Sequence, residues 1–218
     1  MIKSNIVIVD YQLGNLFSVN QALCAIGLEC KITSNPSDIS QADALVLPGV
    51  GAFKDAMNNL NKLGLDIEIK KFIESKKPFL GICLGLQLLF TTSEEFGLSE
   101  GLNVIKGTVN RFPNVNPSGD LVKVPQIAWN TISIADQLNW NNSPLSILEN
   151  GDDMYFVHSY YVEPEDNKVV VSKTNYAGIE YVSSIQSKNI FACQFHPEKS
   201  GEKGLHIYKK WALINNLI

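Results

Sequence analysis

The apolar positions of this chain change rhythm at about Lys106. Before it, unbroken apolar runs alternate with stripes at helical spacing. Ile6–Val9 is such a run, ending at Asp10, and predicts a strand buried on both faces. Leu16, Val19, Leu23 and Ile26 then recur every three or four residues, with Asn15 placed to cap the helix and Gly27 to close it. Leu28–Ile32 and Ala44–Leu47 predict two further strands. Phe53, Met57 and Leu60 mark one helical stripe, and Leu65, Ile69, Phe72 and Ile73 mark another, before the strand Phe79–Ile82. This alternation predicts a parallel sheet with helices on both faces.

After Lys106 the segments shorten and become rich in β-branched and aromatic residues. Candidate strands are Lys106–Phe112, Ile127–Ile132, Met154–Val162, Lys168–Ser172, Ile179–Gln186 and Ile190–Phe195. Two polar loops interrupt them, Pro113–Asp120 and Asp136–Asp153, the second with a Ser143-Pro144 start suited to a short helical turn. A last helix is expected from Glu202 to about Asn216, with Leu205, Tyr208, Trp211 and Ala212 facing the sheet. No repeat or domain boundary is visible. The expectation is one three-layer α/β domain over residues 1–218, with a mostly parallel sheet, flanking helices and a β-rich C-terminal half.

Composition narrows the class. A net charge of −4 over 218 residues gives no nucleic-acid footprint, and the paired lysines Lys70-Lys71, Lys76-Lys77 and Lys209-Lys210 read as solvated helix faces. The N-terminal apolar run is too short for a signal peptide, and no stretch approaches a membrane span, so a cytoplasmic protein is expected. Cys24, Cys30, Cys83 and Cys193 lack metal-ligand spacing and are too few for a disulfide scaffold, so thiols are expected. No metal or organic cofactor is implied.

Candidate chemistry centres on Gly81-Ile82-Cys83-Leu84-Gly85. An apolar strand leads into it and Leu86–Phe90 follows as a helix, so the segment reads as a nucleophile elbow with cysteine at its apex. A free thiol titrates near about 8.5, and a helix N-terminus would favour its thiolate. Phe195-His196-Pro197-Glu198 supplies a base with a carboxylate two residues on. Pro48-Gly49-Val50-Gly51-Ala52-Phe53 supplies a glycine-rich loop after a strand. A thiol, an oriented base and a loop of backbone N–H groups are the parts that acyl transfer requires.

These segments, in the order Cys, His, Glu, resemble the class I (triad) glutamine amidotransferases over nearly the whole chain. Asp10–Leu16, Leu47–Phe53, Phe156–Tyr160 and Phe195–Gly201 look like the glutaminase subunits of imidazole glycerol phosphate synthases, which work in histidine biosynthesis and pass ammonia to a (β/α)8-barrel cyclase subunit. The resemblance implies a heterodimer that takes L-glutamine as substrate. Cys83 would attack the side-chain amide, His196 would carry the proton, and Glu198 would orient the imidazole. Val50, Gly51 and Leu84 would donate backbone N–H groups to the oxyanion. Gly49, Gln87, His158, Ser159 and Tyr160 would hold glutamine. Tyr11, Asn15 and Lys199 would face the partner subunit.

Each assignment has a plainer alternative. Gly49 and Gly51 could simply form a turn, His158 could be a satisfied core histidine, Gln87 could face solvent, and Tyr11, Asn15 and Lys199 could be ordinary surface. The segment Lys123–Asn130 departs from the resemblance, with Gln126 and Ala128 where histidine and glycine are usual. Because the segment is expected to lie toward the partner, the departure leaves open a second reading, an amidotransferase subunit for amidino-sugar synthesis. Tyr176–Tyr181 also resembles that group. The intact Cys83, His196 and Glu198 argue against a catalytically silent binding subunit.

Overall fold

The protein is described by a computed structural model covering residues 4–135 and 140–218. Four short apolar strands form the first half of the sheet: β1 (Ile6–Val9), β2 (Cys30–Thr33), β3 (Ala44–Gly49) and β4 (Phe79–Cys83). They lie parallel in the order β2-β1-β3-β4. All residues of β1, β3 and β4 are buried, as continuous apolar strands between two helical layers should be. The intervening helices are α1 (Leu16–Ala25), α2 (Pro36–Gln41), α3 (Phe53–Leu63) and α4 (Leu65–Glu74). Asn15 caps α1 by accepting from the Ser18 N–H. Gly64, in left-handed conformation, ends α3 and opens α4.

The nucleophile segment continues from β4 into α5 (Leu84–Gln87). The β-rich half follows: β5 (Thr92–Ser93), β6 (Ser99–Glu100), β7 (Gly107–Arg111), β8 (Gln126–Thr131), β9 (Ser133–Ile134), β10 (Asp153–His158), β11 (Tyr160–Pro164), β12 (Val170–Tyr176), β13 (Ile179–Ser187), β14 (Ile190–Cys193), and finally α6 (Gly201–Ile214). Most of these strands extend the same sheet, in the order β4-β14-β13-β11-β7-β5-β6, with β12 against β13 and β9. Strands β8 and β10 instead form an antiparallel ribbon of their own.

One expected strand needs correction, three short elements are unforeseen, and the turn expected at Ser143-Pro144 is present. Met154–Val162 reads as one strand because its apolar alternation is continuous, yet it is two, broken at Ser159. β10 joins the ribbon and β11 joins the main sheet. Helix α2 and the two-residue strands β5 and β6 carry too few apolar positions to show a period, and the sequence pattern does not predict them. The polar loop from Asp136 contains two 3-10 turns, the second capped by Ser143, which accepts from the Leu145 N–H; residues 136–139 lie outside the described residues.

The position of β14 organises the site. It runs parallel to β4, with Cys193 opposite Ile82. On the other side of β4, Gly49 lies opposite Cys83. The C-terminal ends of β3, β4 and β14 therefore meet, and open parallel sheets bind ligands at such ends.

Candidate active site

Cys83 sits at the end of β4 with φ 54° and ψ −108°, a backbone region that non-glycine residues rarely occupy. The neighbouring strands force the flanking glycines. A Cβ on Gly85 would collide with the Leu47 carbonyl oxygen, and one on Gly81 would lie 2.9 Å from Ala192 Cβ. The elbow is thus held by close contact on both sides, with the Leu47 carbonyl of β3 and the Ala192 methyl group of β14. The expected helix after Cys83 is a single turn, because the intrahelical ladder gives way to turns at Leu89 and Phe90. A dipole this short exerts little pull, so a charged partner matters more.

That partner is His196, immediately beyond β14 and 2% exposed. Its backbone N–H donates to the Tyr155 carbonyl at 2.9 Å, and its carbonyl accepts the Ser200 hydroxyl at 2.7 Å. Its Nδ1 lies 2.8 Å from Glu198 Oε1. Glu198 is itself buried, and its other oxygen accepts from the Tyr208 hydroxyl at 3.3 Å. His196 Nε2 is buried without a conventional hydrogen-bond partner. Burial alone would lower the pKa of this imidazole, but its interactions with Cys83 and then with the Glu198 carboxylate outweigh it, and the group is pushed up to about 10. The structure therefore brings Cys83, His196 and Glu198 together in a water-poor site that favours the charged imidazole.

A cavity of about 380 Å³ opens onto the sulfur. Val50, Gly51, Cys83, Leu84, Gln87, His158, Ser159, Tyr160 and Lys199 all line it, together with Glu95, Pro125 and Val157. Gly51 has φ +105°, which requires glycine. A Cβ at Gly49 would strike the Tyr11 hydroxyl and approach Leu84 Cβ to 2.9 Å. Leu84, the first residue of α5, has a backbone N–H without an intrahelical acceptor. Gln87 is 5% exposed rather than facing solvent, and its amide nitrogen donates to the Tyr160 carbonyl and to Gln194 Oε1, both at 3.0 Å.

His158 belongs to a buried network. Its Nδ1 donates to the Tyr160 carbonyl at 2.8 Å, and its Nε2 lies 3.3 Å from the Tyr181 hydroxyl, which in turn lies 3.0 Å from Gln126 Oε1. Burial first, then the nearby His196, lower its pKa to about 4, despite the bond to Tyr160, so the ring is neutral. A neutral ring donating from Nδ1 needs a donor at Nε2. Tyr181 has one proton, and Gln126 Nε2 is buried without a partner. With the Gln126 amide turned end for end, its N–H donates to Tyr181 and the Tyr181 hydroxyl is free to donate to His158 Nε2.

Two expectations about the partner face change. Tyr11 is 1% exposed and packs under Gly49 with its hydroxyl unpartnered, so its side chain is core rather than surface. Gln126 is fully buried opposite His158, so its departure from the usual histidine concerns the interior network. Ala128 lies in ordinary extended backbone within β8, where glycine is not required. Asn15 is half-buried at its cap, and Lys199 is exposed.

Several functional candidates carry no signature in the sequence. Glu95 reaches the cavity and accepts the Phe53 N–H at 2.6 Å; burial raises its pKa. Tyr208 and Tyr181 arrive from elements distant in sequence. Ile127 and Trp129 are more than half exposed beside Tyr155, and Lys199 Nζ lies 5.6 Å from the Tyr155 ring centre. No local motif announces them; apolar side chains on both faces of a short strand are the available signal.

The family described as glutamine amidotransferase class-I matches residues 7–214. This chain is a class-I glutamine amidotransferase. It is 48% identical over 210 residues to the imidazole glycerol phosphate synthase subunit HisH of Syntrophotalea carbinolica, covering 94% of this chain and 98% of that one. To the HisH subunit of Aquifex aeolicus it is 49% identical over 209 residues, covering 94% of each. The amidotransferase therefore belongs to the HisH family within the class. Its fold matches that of PurLQS from Thermotoga maritima, at TM-score 0.66 and 21% identity over 99% of this chain and 98% of that one. No helix among the described residues is long and apolar enough to cross a membrane.

Proposed function

We propose that this amidotransferase is the glutaminase subunit of an imidazole glycerol phosphate synthase, that residues 1–218 act as one glutaminase domain, and that it works in the cytoplasm. The observation that carries the chemistry is the buried pairing of Cys83 with His196 and Glu198 at the floor of a cavity large enough for a free amino acid. Cys83 attacks the side-chain amide of glutamine, and His196 delivers a proton to the departing ammonia. Glu198 holds the imidazole in register through Nδ1. Val50, Gly51 and Leu84 offer backbone N–H groups to the oxyanion, and losing one such donor costs about 10²–10³ in rate. Water then releases glutamate from the thioester. Gly49, Gln87, His158, Ser159 and Tyr160 shape the glutamine site, and the Glu95 carboxylate suits the substrate's α-ammonium group.

Ammonia in neutral water is mostly protonated and a poor nucleophile, so its release is useful only beside an acceptor. The exposed face of the β8–β10 ribbon, with Ile127, Trp129, Tyr155 and Lys199, flanks the cavity mouth and offers a docking surface. Its occupant is a (β/α)8-barrel cyclase, with Asn15 and Lys199 at the contact. Docking would complete the oxyanion site by shifting the Val50–Gly51 peptide so that an N–H faces the cavity. The test is glutamate formation with and without a histidine-pathway cyclase and its nucleotide ligand. Activity low alone and raised about 10²-fold or more in the complex is expected. Full activity of the isolated chain, unchanged by the cyclase, refutes the gating. Activation only by a cyclase from an amidino-sugar pathway refutes the pathway.

A further inference from the structure

Gln194 sits between the proposed base and the core strand β14, fully buried, and the proposed reaction gives it no part. Its Nε2 lies 3.5 Å from Cys83 Sγ. Its Oε1 accepts from Gln87 Nε2 at 3.0 Å. The orientation of both amides follows from one fixed acceptor. The Tyr160 carbonyl can only accept, so the Gln87 atom 3.0 Å from it is the nitrogen. The two hydrogens of that nitrogen are then spent, on Tyr160 and on Gln194, so the Gln194 atom facing Gln87 is the oxygen. Gln194 must therefore turn its N–H₂ toward the sulfur.

We propose that Gln194 is a nucleophile-positioning residue: its amide N–H holds the Cys83 sulfur as a thiolate, and its carbonyl ties that sulfur through Gln87 to the Tyr160 backbone at the substrate cavity. The role rests on the glutaminase reading for its kinetic consequence but not for its contact with sulfur. An N–H donor favours the charged acceptor over the neutral thiol, which accepts poorly. The same Tyr160 carbonyl also takes the His158 Nδ1 proton, so the chain of amides is anchored at a backbone atom fixed from two sides.

The experiment replaces Gln194 with methionine, which keeps the length and removes both polar atoms. Alkylation of the full chain by iodoacetamide is followed across pH, and glutamine hydrolysis is measured in the complex with the cyclase. Gln194→Met is expected to slow alkylation of Cys83 at pH 7 about ten- to a hundredfold and to displace the alkylation profile to higher pH. It should lower kcat by a similar factor and leave KM within about threefold. Where Gln194→Met does not fold, wild-type protein labelled with ¹⁵N answers the same question. The Gln194 side-chain amide resonance should move with pH in the wild type and stay fixed in Cys83→Ala. Alkylation of Gln194→Met at the wild-type rate with an unchanged pH profile, or a pH-independent Gln194 resonance in the wild type, overturns the role. Absence of glutamine hydrolysis by the wild-type complex would refute the glutaminase reading, while the alkylation measurement still reports on Gln194.

Discussion

The two walls of the active-site cavity are built by different physics. The wall carrying Cys83, from β3 and β4, is fixed by contact between backbones. Gly49, Gly81 and Gly85 leave no room for a methyl group, and Cys83 is held at a positive φ between them. The other wall, from β10, β11 and the segment that follows β14, is fixed by buried polar side chains: His196 with Glu198 and Tyr208, His158 with Tyr181 and Gln126, and Gln194 with Gln87 of α5. The first wall should be intolerant of added volume, and the second sensitive to charge and pH. Steric precision suits a nucleophile that must present one atom. Protonatable groups suit a wall that must take up and return a proton.

The largest expected effects lie where the walls meet. Cys83→Ala should remove glutamine hydrolysis, by about 10⁴-fold or more, without unfolding the chain. It should also lower the pKa of His196 from about 10, because the interaction with the Cys83 sulfur that raises it is gone and burial, which lowers it, remains. NMR titration of the imidazole reads this directly; an unmoved pKa would mean that the two walls are electrostatically independent. His196→Asn should cost a similar factor in kcat, and Glu198→Gln less, about 10²-fold, because the carboxylate orients the ring and does not react. A larger loss in Glu198→Gln than in His196→Asn would reverse those roles.

The next effect belongs to the polar wall alone. The pKa of His158 is depressed from 6.5 to about 4, so between those values the unfolded chain binds more protons than the folded one. Stability should therefore be intact above pH 6.5 and fall as the pH drops toward 4, by up to about 3 kcal/mol from this group. Thermal melting against pH measures the slope, and His158→Gln should flatten it. The backbone wall answers to volume instead. Gly49→Ala should cost about 1–3 kcal/mol by pressing on Tyr11 and Leu84. Tyr11→Phe, which removes an unpartnered buried hydroxyl, should stay within about 1 kcal/mol of wild type and relieve part of the Gly49→Ala cost. Simple additivity of that pair would show that the two do not press on one another. Tyr181→Phe is a comparably modest change: it should destabilise by about 1–2 kcal/mol and raise KM more than it lowers kcat.

The backbone wall is also the legible one. Gly81–Gly85 and Pro48–Phe53 on that wall are contiguous segments whose spacing carries their geometry, so they can be read before any fold is known; on the polar wall only Phe195–Glu198 shares that property. The parallel arrangement of β1, β3 and β4 is equally legible in their unbroken apolar runs, while the edge strand β2, with Lys31 and Thr33, is only partly buried. Gln194, Glu95 and Tyr181 lack such signatures, because each acts on an atom far away in sequence and becomes meaningful only when the chain folds back; Tyr208 reaches Glu198 only once α6 packs against the turn before it. The break at Ser159 is hidden for a related reason: alternation persists across it while the hydrogen-bonding partner changes. Tyr11 and Gln126 show the limit of resemblance, which assigns a position to a face without saying which way its side chain points.

The central place of β14 has a consequence for how the chain is born. β4 is complete once residue 83 has left the ribosome, but its second neighbour arrives only with residues 190–193. At ordinary translation rates, on the order of ten seconds separates them. Throughout that interval the growing chain carries an open apolar strand edge and a nucleophile without its base. A nascent or C-terminally clipped chain thus cannot spend glutamine, and its unpaired edge marks it for chaperone capture or aggregation. The last strand to be made both closes the sheet and arms the enzyme.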